Sequence, residues 1–177
     1  MIKIHKYFPF KLMSLVLLIP LTSCAPVISK QIRDQVKPDI TFAAVLQNPE
    51  QYQGHMVIFS GVIIEATNTK EGTVIKVLQR PDGFRGQPKD TDESEGRFLA
   101  RDSRYLDVDV YAKGRSVTIA GEVQGKQVLP LGGIEYTYPL IQIKEIYLWP
   151  EVKRYYERYP YWYYNDYWWW RSGFLYY

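Results

Sequence analysis

The chain has 177 residues, with 22 Lys+Arg against 19 Asp+Glu, two histidines and one cysteine. A single cysteine excludes an internal disulfide and any zinc site built from several thiolates. The length suits one domain with one hydrophobic core.

The first 23 residues carry the three parts of a secretion signal. Lys3, Lys6 and Lys11 form a positive start, and residues 12–21 are apolar apart from Ser14. That run is about half of the roughly 17–25 residues a membrane-spanning helix needs, and Pro9 and Pro20 bracket it. An uncleaved anchor is therefore disfavoured. Leu21-Thr22-Ser23-Cys24 has the pattern of a bacterial lipoprotein processing site, with small residues before the cysteine and a branched apolar one three before it. The expectation is cleavage between Ser23 and Cys24, a diacylglyceryl thioether on Cys24, and membrane lipid as a partner through the acylated residue. An ordinary secretion signal followed by an incidental cysteine is the competing reading.

Loss of residues 1–23 removes three lysines and no acid, leaving 19 basic against 19 acidic side chains. A neutral mature chain carries no electrostatic footprint for nucleic acid, so none is expected as a partner. His55 is then the one remaining histidine. No two-histidine metal motif is possible, and a histidine beside Gly54 at the start of an apolar run reads as a strand-end residue.

Residues 24–39 read as a lipidated tether. Ile28, Ile32 and Val36 share a helical spacing that Pro38 interrupts, and the tether is expected to let the domain stand off the membrane. Thr41 is a suitable N-cap for a short helix over 42–47, which Asn48-Pro49 ends. Residues 55–66 form a strand apolar on both faces and interrupted at Ser60-Gly61, which predicts a bend where it passes between two sheets.

Further strands are expected over 72–79, 96–101, 115–124 and 136–149, with a polar loop over 80–95. In the fourth strand Val117, Ile119 and Val123 point inward, and Ser116, Thr118, Glu122 and Gln124 outward. In the fifth, Ile141 and Ile143 point inward and Gln142 and Lys144 outward. Turns are expected at Gly125-Lys126 and at Gly132-Gly133. The fold class is mainly β: residues 40–149 make a small five-stranded antiparallel barrel with one short helix, like the oligonucleotide/oligosaccharide-binding (OB) fold.

Several segments then resemble one family. They are Pro38-Asp39-Ile40-Thr41-Phe42, the run from Val45 to Gly54, Gly61, and Gly96-Arg97-Phe98-Leu99-Ala100-Arg101 followed by Ser103 and Leu106-Asp107. The chain is similar to the Slp family of starvation-inducible outer-membrane lipoproteins of Gram-negative bacteria. Val108 departs from it, since relatives often carry proline there, which puts the local turn in question. The resemblance implies an outer-membrane lipoprotein associated with nutrient stress and supplies no active-site residues. Ala25 stands where enteric lipoproteins retained in the inner membrane carry aspartate, which also implies the outer membrane, on the leaflet facing the periplasm.

The end of the chain is unusual. Of residues 155–177, 14 of 23 are aromatic, half of the chain's 28, far above ordinary composition. Tyr161, Trp162, Tyr163, Tyr164, Trp168, Trp169 and Trp170 follow neither a helical nor an alternating pattern. With Arg171 they suit a membrane–water interface or stacking on sugar rings. Residues 150–177 are therefore a candidate membrane or glycan contact, with folding back on the barrel, disorder or self-association as alternatives.

Other groupings point to no reaction. Asp90, Asp92, Glu93 and Glu95 lack the spacing of a calcium loop and read as a solvated segment. Asp107 and Asp109 could act as paired carboxylates only in a cleft. Arg97 and Arg101 could bind an anion or pair with nearby acids, and Gly132-Gly133 lacks the lysine of a phosphate loop. No catalytic set, metal or cofactor is expected. The reading is a non-enzymatic outer-membrane lipoprotein with an envelope protein or glycan as partner. A carboxylate-dependent periplasmic hydrolase and an outer-membrane assembly factor are the alternatives.

Overall fold

Four runs rich in β-branched residues and the shorter Arg97–Asp102 segment become strands, and together they close into a barrel. The computed structural model describes residues 25–151. In chain order come α1 (Lys30–Arg33), α2 (Phe42–Gln47), a 3-10 turn (Pro49–Tyr52), β1 (Met56–Thr69), β2 (Gly72–Gln79), a second 3-10 turn (Phe84–Gly86), β3 (Arg97–Asp102), β4 (Ser116–Leu131) and β5 (Ile134–Leu148). The signal, Cys24 and most of the aromatic tail, including residues 161–171, lie outside the described residues.

The strands are ordered β1-β2-β3-β5-β4 around a closed barrel. β1 is antiparallel to β2 and β4, β2 to β3, and β4 to β5. A ring of five strands cannot alternate direction all the way round, so one pair must be parallel. That pair is β3–β5, with Leu99 opposite Leu140 and Arg101 opposite Gln142.

β1 does what its two apolar faces predict. Its first half pairs with β4 from Met56 to Val62, and its second half pairs with β2 from Gly61 onward. The handover falls at Gly61, where a Cβ would overlap the Leu78 carbonyl oxygen. Val57, Phe59 and Ile63 face the core, while Met56, Ile58, Val62 and Ile64 are half-buried on the other side.

α2 plugs the barrel. Thr41 caps it by accepting a hydrogen bond from Ala44 N at 3.2 Å. Phe42 then packs edge-on against Phe59, ring centroids 5.0 Å apart, and lies 5.9 Å from Phe98. Val45 is fully buried beside them. The family segment Gly96–Arg101 belongs to this core too, because Phe98 and Ala100 point inward and are fully buried.

Three local expectations are corrected. β4 does not end at Gln124, and Gly125-Lys126 is not a turn. Gly125 takes φ +107 inside the strand, the register with β5 shifts there, and pairing continues to Leu131 opposite Ile134. A glycine in that conformation makes a bulge that bends a strand without stopping it. The true turn is at Gly132-Gly133.

Thr118 alternates outward as its position predicts, but it is fully buried. Its hydroxyl donates to the Gly86 carbonyl at 2.6 Å and accepts the Trp149 indole N–H at 2.9 Å, and Ser60 donates to the same carbonyl at 2.8 Å. The loop between β2 and β3 therefore folds over the outer face of β1 and β4. Finally, the segment after Cys24 does not stand free. Ile28 is 3% exposed, Ser29 N donates to Glu145 Oε2, and Arg85 Nε donates to the Ala25 carbonyl at 2.8 Å.

The exit of β3 is pinned by charge. Asp102, buried at the strand end, accepts three hydrogen bonds from Arg104, at 2.9 Å from N, 3.0 Å from Nε and 2.7 Å from Nη2. The Arg104 guanidinium holds the Asp102 carboxyl below its ordinary value of 3.8, against an opposing push from burial. A carboxyl depressed in the folded state stabilises above the unfolded-chain pKa, and that gain is lost as pH falls through the folded value. Arg104 is mostly exposed, so screening reduces what the pair contributes. Asp102→Asn is expected to cost about 1–2 kcal/mol at neutral pH. In urea titrations the difference from the parent protein should stay flat above about pH 5 and shrink below pH 4.

Candidate ligand groove

β2 and β3 alternate cleanly, so each presents a second face outside the barrel. On β2, Ile75 and Val77 are in the core, while Val74, Lys76 and Leu78 face outward and are half-buried. On β3, Leu99 lies between Arg97 and Arg101 on the outer face. The end of β1 supplies Glu65, Thr67 and Thr69, and the turn into β2 supplies Lys70 and Glu71. With Val74, Lys76, Leu99 and Arg101 they line a groove of about 500 Å³, walled on its far side by Gln127 and Leu129 of β4.

Two of the groove's three cations are ion-paired, and Lys70 is the third. Lys76 Nζ lies 2.9 Å from Glu65 Oε2, and Arg101 Nη1 lies 3.4 Å from Glu71 Oε2. Beneath Lys76 is Tyr138, whose ring centroid is 6.0 Å from the ammonium. Tyr138 is fully buried, and its hydroxyl has no hydrogen-bond partner among the described residues. The floor is apolar, with Leu99 2% exposed.

The wall is built differently from the floor. Beyond Gly125, β4 pairs only with β5, so residues 126–139 form a two-stranded ribbon. Val128 and Ile134 on it are 47% and 64% exposed. Its base is held to the barrel by the buried Tyr138 and by the Arg97 N–H on the Tyr136 hydroxyl.

The residues singled out from sequence fall in different places. Arg101 reaches the groove and is ion-paired there. Arg97 lies farther along β3, its backbone N–H donating to the Tyr136 hydroxyl at 3.0 Å. His55 precedes β1, with Nδ1 3.2 Å from the Tyr52 carbonyl and its ring edge-on to Tyr52. Asp107 and Asp109 belong to an exposed turn in which Asp107 Oδ1 accepts the Asp109 N–H at 2.9 Å. The turn forms with Val108 in place of proline, closed by Val110 N and Tyr111 N on the Asp107 carbonyl. Among the described residues no three His, Cys, Asp or Glu side chains gather to hold a metal. Lys76, Tyr138 and Leu129 were missed, although half-burial of alternate residues on β2 was readable in Val74, Lys76 and Leu78.

A closed five-stranded OB-like barrel with a groove on its β2–β3 face defines the class. The sequence profile of the outer membrane lipoprotein Slp family matches residues 21–176. The outer membrane protein Slp of Escherichia coli strain K12 is 30% identical over 131 residues, which are 73% of this chain and 69% of that protein. The chain belongs to the outer membrane lipoprotein Slp family, and it is an outer-membrane protein. No helix among the described residues is long and apolar enough to cross a membrane.

Solved structures with similar backbones include the small single-stranded DNA-binding protein of Streptomyces coelicolor. It is 16% identical, with 54% of this chain and 94% of that chain covered and a TM-score of 0.35. The mitochondrial single-stranded DNA-binding protein Rim1 of S. cerevisiae is 14% identical, with 57% and 100% covered and a TM-score of 0.37.

Proposed function

We propose that this lipoprotein is a non-enzymatic binding module of the cell envelope, anchored through acylated Cys24 on the periplasmic leaflet. Its groove holds an extended glycan strand of the cell wall. The observation that carries this reading is the groove itself, with an apolar floor, two ion pairs on its walls and a two-stranded ribbon along one side. The β2–β3 face of OB barrels accepts both oligonucleotides and oligosaccharides. Three cations against two carboxylates leave a single positive charge in the groove, far short of the several phosphate-neutralising cations that polyphosphate binding draws on. Apolar floor and polar rim suit a polymer with sugar faces and hydroxyls. The aromatic tail, with Tyr161, Trp162 and Trp168–Trp170, adds a second contact to lipid or glycan. A role in nutrient stress follows the family resemblance.

The test uses the mature protein with purified cell-wall sacculi. Leu129→Asp combined with Arg101→Ala should weaken binding at least tenfold, equivalent to about 1.4 kcal/mol, with thermal unfolding little changed. Unchanged affinity would remove the groove from the reading. Asp107→Asn with Asp109→Asn should leave binding and any envelope phenotype intact, because those carboxylates serve a surface turn. A strong effect there would favour the hydrolase.

A further inference from the structure

The two ends of the described chain lie on one side of the barrel. At the N-terminal end, the Ala25 carbonyl accepts a hydrogen bond from Arg85 at 2.8 Å, so Cys24 is one residue from the loop joining β2 and β3. At the C-terminal end, Trp149, Pro150 and Glu151 line a cleft of about 300 Å³ together with Gln87, Pro88 and Lys89 of the same loop. The Gly86 carbonyl, Thr118 and the Trp149 indole join these two places through one hydrogen-bonded chain. The acylated residue and the 26 residues of tail beyond Glu151 therefore start from a shared surface.

We propose that this surface is the barrel's membrane-docking face and that its partner is the phospholipid of the bilayer carrying the lipid anchor. This extends the anchor reading to a fixed orientation. Phe84, at the tip of the loop, is 73% exposed and adjoins Arg85, the pairing of an apolar ring with a cation that suits the headgroup boundary. Arg80, Lys89 and Arg115 border the cleft. Asp82, Asp90 and Glu151 are nearby, leaving Arg80, Arg85, Lys89 and Arg115 one charge in excess. That balance suits mixed zwitterionic and anionic lipid better than a strongly acidic surface.

Docking this face sets the direction of the groove. Along β4, Thr118 at the docking end and Gln127 at the groove are nine residues apart, about 30 Å at the rise of a strand. The ribbon and groove then face away from the membrane, toward the periplasmic polymer.

The test uses full-length acylated protein in vesicles of phosphatidylethanolamine and phosphatidylglycerol. The chain's one cysteine is Cys24, and its thiol is consumed by the lipid, so an added cysteine takes a fluorophore alone. Phe84→Cys and Ile134→Cys both replace exposed side chains, at the docking end and the ribbon tip. Brominated lipid should quench the label at position 84 at least threefold more than at 134. Equal quenching, or stronger quenching at 134, would overturn the orientation while flotation of the vesicles still reported the anchor. Protein that does not float at all would sink the anchor, and this inference with it.

Discussion

Gly61→Val and Gly121→Val are each expected to cost about 3 kcal/mol or more, because both changes drive a side chain into backbone. A Cβ on Gly121 would overlap the Gln142 carbonyl oxygen and approach Ile141 Cγ2 to 2.7 Å; on Gly61 it would overlap the Leu78 carbonyl oxygen and reach Val77 Cγ1 at 2.6 Å. Neither contact involves a flexible side-chain tip, so strands must separate. The two glycines occupy opposite ends of the β1–β4 seam, Gly61 facing Val117 and Gly121 facing Val57. Four residues of β1 separate the sites, about 13 Å, so their costs should add. The sum reaches the lower range of domain stability, roughly 5–15 kcal/mol, and the double variant should be unfolded at 25 °C by circular dichroism. Gly133→Ala, in open space at the ribbon turn, is the control and should be neutral. A double variant that folds with a loss under about 1 kcal/mol would mean that the seam can relax and that these glycines are not what closes the barrel.

Those glycines also mark what was legible in advance. The break at Ser60-Gly61 announced where β1 changes partners, because a glycine inside an otherwise apolar strand marks a bend or a close backbone approach. Thr41 announced α2 in the same way, through capping chemistry local to four residues. Gly125 misled because a glycine of positive φ serves a turn and a bulge equally well. Only the pairing of Lys126 with Pro139, a long-range fact, distinguishes them. Thr118 misled for a related reason. Its alternation was read correctly, but its burial comes from Gly86 and Trp149, over thirty residues away on either side.

The groove was less visible than the barrel. Its floor, wall and ion pairs come from four strands and one turn, and each contribution looks ordinary alone. Arg101 stood out through the family segment, and pairing with an acid was one of its two expected fates. Glu71 supplies that acid across the turn into β2. Tyr138 gave no signal, since a tyrosine in an alternating strand is unexceptional until its buried hydroxyl proves to lack a partner. A catalytic set is read from a short motif. Affinity for a polymer is spread over a surface and leaves no comparable short pattern.

Cys24→Ser is expected to move the protein from the outer-membrane fraction to the soluble periplasmic fraction and to abolish labelling by palmitate. Each buried CH₂ contributes about 0.8 kcal/mol, so a single acyl chain binds reversibly and two or more hold firmly. Among the described residues nothing approaches that. Phe84 is one ring, and the cations of the docking face are opposed by Asp82, Asp90 and Glu151. The aromatic tail is the serious competitor, with 14 aromatic residues in its last 23, and removing residues 152–177 separates the two. If the lipid is the anchor, the truncated protein stays in the membrane pellet and the serine variant does not. If the tail is the anchor, the outcomes exchange, and Tyr161–Tyr164 with Trp168–Trp170 become the membrane-binding element in their own right. Retention of both variants would assign the two an overlapping role, and only their combination would then release the barrel. That third pattern would refute the primacy of Cys24, because an anchor that can be removed without consequence is not what fixes the orientation of the docking face.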